Sequence, residues 1–510
     1  MIPDGSQPRS ECPDENNRQA KYPPAHDGFD LRRTREGFGY KVLILLFLVT
    51  LPTLNPWVRG DGVGYYAYIR AMLIEHNLNF EYDWLHANPS FRLSRVDGEG
   101  QLTPGNYTAT HHLNNHFSVG PAILWAPFLF VVHLVILVLN HWGGQFQGDG
   151  YSRPYVLTMA LATAMYGFAG LCFSFALARR YVQERWALIA TAGIWFGSSL
   201  FVYMYLNPSW SHAHSAFVVA VFLWYWQRTR EHRSLPQWAA LGAISGLMID
   251  VYFPNALLLI VPGMEGFVYY IQSYRELEKR WPAIIQLIWG HVLFLGVAIL
   301  ALLPTFVSRY IIYGNALDSG YTEKWFWTQP RLFEVMFSSN HGLFSWTPLL
   351  IPSVLGLALT WKQSRIVAIS FVSVFLAFLY LIASYQDWHG ISSFGNRFFV
   401  SLTPLFVLGL AMMLKTLGDF FVSRGRAFLV ALLFVSLFVL WNIGLMVQWG
   451  LHLIPVRGPV SWKTVAYNQV AVVPFRIVRT GRNYLFRRSE LIQRIEDQDV
   501  EQLKGETQNQ

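Results

Sequence analysis

Directly after the first long apolar run the chain reads Arg59-Gly60-Asp61-Gly62-Val63-Gly64-Tyr65-Tyr66-Ala67-Tyr68-Ile69-Arg70. A carboxylate at the head of such a stretch suits two jobs. It can cap the helix that follows, as Asp commonly does, or it can take a proton from a hydroxyl held beside it. The flanking glycines leave room for a substrate to approach the backbone. Tyr65, Ile69, Met72 and Leu73 share one helical face, the pattern of an amphipathic helix lying on a membrane. Other groups able to do chemistry gather in a few loops: Glu81, Asp83, His111, His112, His116, His212, His214, Glu323, Lys324, His341, Asp387, His389 and Arg397. His112 and His116 stand four apart, His212 and His214 two apart, but no cysteine joins them and carboxylates are not regularly interleaved. That spacing admits a divalent metal without requiring one; hydrogen bonds from imidazoles to hydroxyls or anions fit it equally.

The elements that must hold these groups are set by composition. Of 510 residues, 53% are hydrophobic and only 14% charged, too few charges to wet a soluble surface. With a mean hydropathy of +0.29 and apolar runs near the ~20 residues that cross a bilayer, the chain reads as an all-α polytopic membrane protein. Collagen, coiled-coil and wholly disordered classes are excluded. The formal charge of +8 sits in short clusters between apolar runs, which writes topology and gives no reason to invoke nucleic acid. Cys12 and Cys172 stand in a polar tail and an apolar run, so no disulfide framework follows.

Three regions are expected: a disordered cytoplasmic tail over 1–38, a membrane domain over 39–448, and a basic tail over 449–510. Apolar spans run near 41–58, 117–140, 154–178, 186–206, 214–226, 238–260, 261–273, 284–307, 343–361, 366–384, 398–414 and 427–448. Arg32, Arg33, Arg35 and Lys41 place the N-terminus inside. Clusters at 179–185, 228–233, 275–280, 362–365 and 415–426 share that side only if 117–140 does not cross. The expectation is therefore about eleven crossings, a long first outer loop over 59–153 carrying interfacial helices, an interfacial or re-entrant helix over 117–140, and a second outer loop over 308–341. Eleven crossings put the basic 449–510 tail outside, against the charge rule, unless it lies as an amphipathic segment on an anionic surface. The outer loops then hold the titratable groups, which suggests a cavity at the outer membrane interface.

Local signatures sharpen this. Besides Asp61, Tyr65 and Tyr66 they are Asn115-His116-Phe117-Ser118-Val119-Gly120-Pro121, Pro208-Ser209-Trp210-Ser211-His212-Ala213-His214, His341-Gly342-Leu343-Phe344-Ser345-Trp346-Thr347-Pro348 and Trp388-His389-Gly390-Ile391-Ser392-Ser393-Phe394-Gly395-Asn396-Arg397. Together with the order of spans they resemble the bacterial GT-C membrane glycosyltransferases, near the protein mannosyltransferase and aminoarabinose transferase branch, over most of the chain. The resemblance implies a GT-C-type bundle in the cytoplasmic (inner) membrane of the cell envelope. It also implies a polyprenyl-phosphate sugar donor, a glycan, lipid or protein acceptor, and inverting transfer on the outer face. Asp61 becomes the general base. Members of the family often carry paired acids here, whereas Gly62 follows Asp61; a second carboxylate would come from Glu81, Asp83 or elsewhere.

Such chemistry needs a base for the acceptor and cations for the leaving phosphate. Arg397, at the outer end of a span, offers two parallel donors to phosphate oxygens, or anchors that span at the headgroups. Lys324 is a second cation, or half of a solvated pair with Glu323. His116, His212, His214, His341, His389, Asp250, Tyr65 and Tyr66 complete the expected substrate-binding set. Asp250 and Glu265, in or near spans, also fit a transporter or flippase of lipid-linked saccharides, although no internal repeat supports it. A non-enzymatic membrane scaffold would leave all these groups incidental.

Overall fold

A computed structural model describes residues 37–274, 277–421 and 423–508. Most of the expected N-terminal tail, with Cys12, Arg32, Arg33 and Arg35, lies outside the described residues, as does Arg275. Among the described residues there is no strand, only isolated bridges such as Trp325 with Tyr385. The protein is an all-α, multi-pass membrane protein. Its main helices are α1 (Phe38–Thr50), α2 (Asp61–Arg70), α3 (Gly120–His141), α4 (Arg153–Ala178), α5 (Glu184–Phe196), α6 (His212–Thr229), α7 (Leu235–Val251) and α8 (Ile260–Tyr274). They continue as α9 (Leu277–Ala301), α10 (Leu303–Tyr313), α11 (Leu350–Leu359), α12 (Arg365–Ser384), α13 (Thr403–Asp419), α14 (Arg424–Gly450), α15 (Val473–Phe486) and α16 (Arg488–Gln508). Among the described residues seven helices are long and apolar enough to cross a bilayer, and Phe38–Thr53, Leu235–Val251 and Leu350–Lys362 are shorter apolar helices.

Because lipid is as apolar as a leucine side chain, such helices associate through close backbone approach. A methyl group on Gly356 of α11 would sit 1.8 Å from the carbonyl oxygen of Gly409 in α13. The opposite, lipid-facing character shows on α14, where Leu429, Leu433, Leu437 and Leu440 lie exposed at helical spacing.

Two ends of the bundle are defined by contacts. At one, the Gly39 N–H donates to Glu184, Arg180 donates to the Gln227 carbonyl, Gln363 donates to the Tyr181 carbonyl, and Gly418 abuts Trp186. The basic breaks at 179–185, 228–233 and 362–365 therefore meet beside the start of α1. Arg233 and the Trp226 indole N–H there hold Glu265, at 3.2 and 2.9 Å, which gives that buried carboxylate a structural task. The other end carries Asp61, Trp210, Arg397 and His452.

Helix α3 is 22 residues long and apolar enough to cross a bilayer. Its start packs on the close of α7, where Ser118 donates to the Val251 carbonyl at 2.7 Å. Its body packs on the first half of α4, through Trp125 with Thr163 and His133 with Tyr155, and Trp125 also meets Tyr66 of α2 and His214 of α6. The turn after it accepts from Tyr66 and Arg70 of α2, at the Gly150 and Asp149 carbonyls. The basic C-terminal segment folds at the Asp61 end, as a hairpin of α15 and α16.

Candidate active site

Asp61 opens α2, and the preceding Gly60 adopts φ +53, a left-handed conformation that glycine takes without strain. The Asp61 carboxylate makes no helix cap. Its Oδ2 instead forms an ion pair with Arg397 Nη1 at 2.7 Å, with the Asp61 side chain 30% exposed. Arg397 lies over the Trp210 ring, 4.5 Å from its centre, and the Trp210 indole N–H donates to the Arg59 carbonyl at 3.0 Å. One tryptophan thus locks the backbone before Asp61 to the guanidinium that meets it.

The glycines after Asp61 serve protein contacts. A methyl on Gly62 would lie 2.0 Å from Ser209 Oγ, and one on Gly64 would lie 1.9 Å from the Phe117 ring. The expectation that the glycines flanking Asp61 admit substrate to the backbone is corrected at Gly62, where Ser209 already fills that space, while Gly60 lines the same cavity as Asp61. From Gly62 to Arg70 every residue of α2 is buried. Phe117 is held in turn by Arg309 of α10, which donates to the carbonyls of Asn115, His116 and Phe117 at 3.1, 2.7 and 3.1 Å. The motif 115–117 is therefore a clamp on α2.

Asp61 and Arg397 line a cavity of about 950 Å³. Its polar end also carries Arg59, Arg95, Asn207, His452, Arg457 and Asp499; its apolar wall is built from Phe196, Phe201, Leu206, Ile443, Met446 and Val447, with Ile477, Tyr484, Leu491 and Ile495 of the C-terminal hairpin. Burial lowers the Arg95 guanidinium pKa, while the Asp61 charge opposes that shift.

The remaining expected residues divide. Tyr65 packs on Phe117 at 4.9 Å within reach of the Asp61 and Arg397 charges, and burial pushes its phenol up. His116 stacks on Phe117 and Tyr321 beside Asp61, its imidazole pKa lowered by burial. His212 lies buried between Tyr203 and Trp210, one layer behind Arg397. His341 is fully buried on Trp346, and burial, helped by the charges of His389 and Arg397, pushes its imidazole down to about 3. His389 accepts from the Ile391 N–H at 3.0 Å and is likewise lowered by burial.

Four residues point elsewhere. Tyr66 donates to the Gly150 carbonyl, His214 is buried against Trp125 and Tyr166, Asp250 accepts from Thr305, and Lys324 is exposed with its N–H on Gln386. None of the four lines the cavity, and neither do Tyr65, His116, His212, His341 or His389, which pack behind its wall. Nor do Glu81, which is exposed, or Asp83, which is fully buried with Tyr151 and Arg70 and pushed up to about 7 by that burial.

The second carboxylate in the cavity is Asp499, 438 positions after Asp61. It accepts from Arg59 at 2.5 Å and from His452 at 2.9 Å. Sequence reasoning missed it because a single Asp in a basic tail carries no local signal; Arg59 was in view, next to the motif, but unassigned. Among the described residues no group of three or more His, Cys, Asp or Glu side chains could hold a metal ion.

No protein-family model matches the chain, and no curated protein matches it. Among solved structures it is similar to ArnT from Cupriavidus metallidurans in the apo state, with a TM-score of 0.41 and 14% identity, over 84% of this chain and 73% of that one. It is also similar to the oligosaccharyltransferase AglB from Archaeoglobus fulgidus, solved with an inhibitory peptide and a dolichol-phosphate. That likeness has a TM-score of 0.47 and 13% identity, over 81% of this chain and 56% of AglB. Likenesses this distant leave the site to be argued from its own geometry.

Proposed function

We propose that the protein is a membrane glycosyltransferase of the GT-C type, acting at the outer face of the cytoplasmic membrane. It moves a sugar from a polyprenyl-phosphate donor to an acceptor hydroxyl, with Asp61 as general base. The observation that carries this is the Asp61–Arg397 pair, 2.7 Å apart, set in a cavity that is polar at one end and apolar along its wall. A donor of this class has the same two parts, an anionic head that bears the sugar and an isoprenoid chain.

In the reaction the acceptor oxygen forms a bond to the anomeric carbon as its proton passes to the Asp61 carboxylate. The carbon–oxygen bond to phosphate breaks, and the electron pair leaves on the phosphate, where guanidinium groups stabilise the charge. Asp61 meets Arg397 through Oδ2, so Oδ1 is the oxygen that serves the acceptor. Transfer with the base and the leaving group on opposite sides of the sugar inverts the anomeric centre.

The test is reconstitution with radiolabelled polyprenyl-phosphate sugar and a panel of hydroxyl acceptors. Asp61→Asn is expected to lose transfer by about 10²- to 10⁴-fold, the usual worth of a placed base, while still binding the donor. Transfer by Asp61→Asn at the unmodified rate would end the base assignment. Movement of intact lipid-linked sugar between leaflets, with no new linkage, would make the protein a transporter.

A further inference from the structure

Of the four arginines that line the polar end of the cavity, Arg59, Arg95 and Arg397 are each placed differently. Arg397 is engaged by Asp61 itself. Arg95 lies over the Phe91 ring and donates to the Phe91 carbonyl at 2.8 Å. Arg59, two residues before the proposed base, is pinned on three sides. Its carbonyl accepts from Trp210, its guanidinium stacks on Trp57 at 4.3 Å, and its NH2 group meets Asp499.

Asp499 reaches Arg59 from a separate element. The hairpin of α15 and α16 is fastened at its turn, where Arg488 donates to the Pro52 and Leu54 carbonyls and Tyr484 to the Thr53 carbonyl. Along α16, Glu496 accepts from the Asn88 side chain and the Ser90 N–H, at 2.8 and 2.6 Å. The hairpin so bridges the end of α1 and the end of α14 and supplies one apolar wall of the cavity. Burial alone would raise the Asp499 carboxyl, but the bonds from His452 and Arg59 outweigh it and hold the group below the ordinary carboxylate range. It is ionised at neutral pH.

A carboxylate and a phosphodiester each bear one negative charge spread over two acceptor oxygens, so either satisfies the same guanidinium. We propose that Arg59 is the cation on which the phosphate of the donor docks, and that Asp499 occupies that place until the donor arrives. This rests on the polyprenyl-phosphate reading above. Donor binding then exchanges one anion for another on Arg59, so that guanidinium stays paired while Asp499 keeps its contact with His452, and it loosens the hairpin at the wall that the isoprenoid chain lies against. The Asp61–Arg397 pair, built on elements clamped by Trp210, keeps the base in position meanwhile.

The sign of one substitution separates this from a structural role. Full-length protein in lipid nanodiscs is titrated with a polyprenyl phosphate that carries no sugar. Asp499→Asn removes the competing anion and is expected to bind about tenfold more tightly, the change that 1.4 kcal/mol of relieved competition gives. Arg59→Gln is expected to bind at least about tenfold more weakly, with Arg59→Lys between. In the wild type, hydrogen exchange over 488–503 should rise as the lipid saturates. A carboxylate that merely braced the fold would weaken binding when replaced, so unchanged or weaker binding by Asp499→Asn overturns the proposal, as does unchanged binding by Arg59→Gln. A parallel titration with inorganic phosphate distinguishes sources. Tightening for both ligands assigns the site to the head group, and tightening for the lipid alone assigns it to the whole amphiphile; either supports the exchange. If wild type and Asp499→Asn both bind polyprenyl phosphate equally, only the exchange falls. If neither binds it, the donor reading falls too.

Discussion

Gly62→Ala tests whether the base is positioned by the contact between α2 and the 208–210 segment. The added methyl would lie 2.0 Å from Ser209 Oγ, 2.6 Å from its Cβ and 3.2 Å from its carbonyl carbon. Turning the serine side chain relieves the first clash but not the second, because Cβ does not move with χ1. Reaching ordinary contact at 3.4 Å from Cβ requires about 0.8 Å of separation between the two backbones. Ser209 is fully buried and its neighbour Trp210 carries both Arg397 and the Arg59 carbonyl, so the displacement is passed to the Asp61–Arg397 bond. Overpacking of this kind costs roughly 1–3 kcal/mol of stability, small for so large a chain, while a shift near 1 Å at reacting groups costs on the order of 10²-fold in rate. The variant should therefore remain folded and lose transfer. Sugar transfer in proteoliposomes, read beside thermal unfolding, checks both. The double variant Gly62→Ala/Ser209→Gly removes Oγ and Cβ and should recover most of the rate. A Gly62→Ala protein with full activity, or a double variant no better than the single one, would refute the positioning argument.

Two further outcomes follow from the packing around the site. Arg309→Met leaves three loop carbonyls without their charged donor, which should cost roughly 2–5 kcal/mol; thermal unfolding would show it, and a variant as stable as wild type would free Phe117 from its role as clamp on α2. His341, held at about 3 against an unfolded value near 6.5, contributes stability that is fully present above about pH 6.5 and is lost as pH falls toward 3. His341→Phe keeps the stack on Trp346, so its melting temperature should fall less on acidification from pH 6.5 to 4 than that of wild type; parallel pH curves would show that this imidazole does not set the acid limb.

Much of the architecture was legible because membrane insertion imposes simple rules on sequence. Apolar length located the long helices at 153–178, 365–384 and 425–450. The parity of basic breaks leads to an expected helix over 117–140 whose two ends share one side, and the structure has a single long helix there, Gly120–His141. Asp61 and Arg397 could each be singled out, since a charged residue at the end of a span is costly unless used. Tyr66 and His214 looked alike in sequence to Tyr65 and His212. Adjacent or nearly adjacent residues on a helix point in different directions, so only packing decides which one lies next to the Asp61–Arg397 pair and which points away; none of the four lines the cavity.

The sequence by itself determined that this is a membrane bundle with its reactive groups at one end, because charge and hydropathy act locally and leave a local record. Only the tertiary structure decided which groups meet. Asp61 and Arg397 are 336 positions apart, and Arg59 and Asp499 are 440 apart. That the glycines of α2 receive Ser209 and Phe117, and that a basic tail returns to wall the cavity with an acid, follows from how helices seat against one another. Such contacts obey steric fit and charge pairing in space, and neither is written at any fixed interval along the chain.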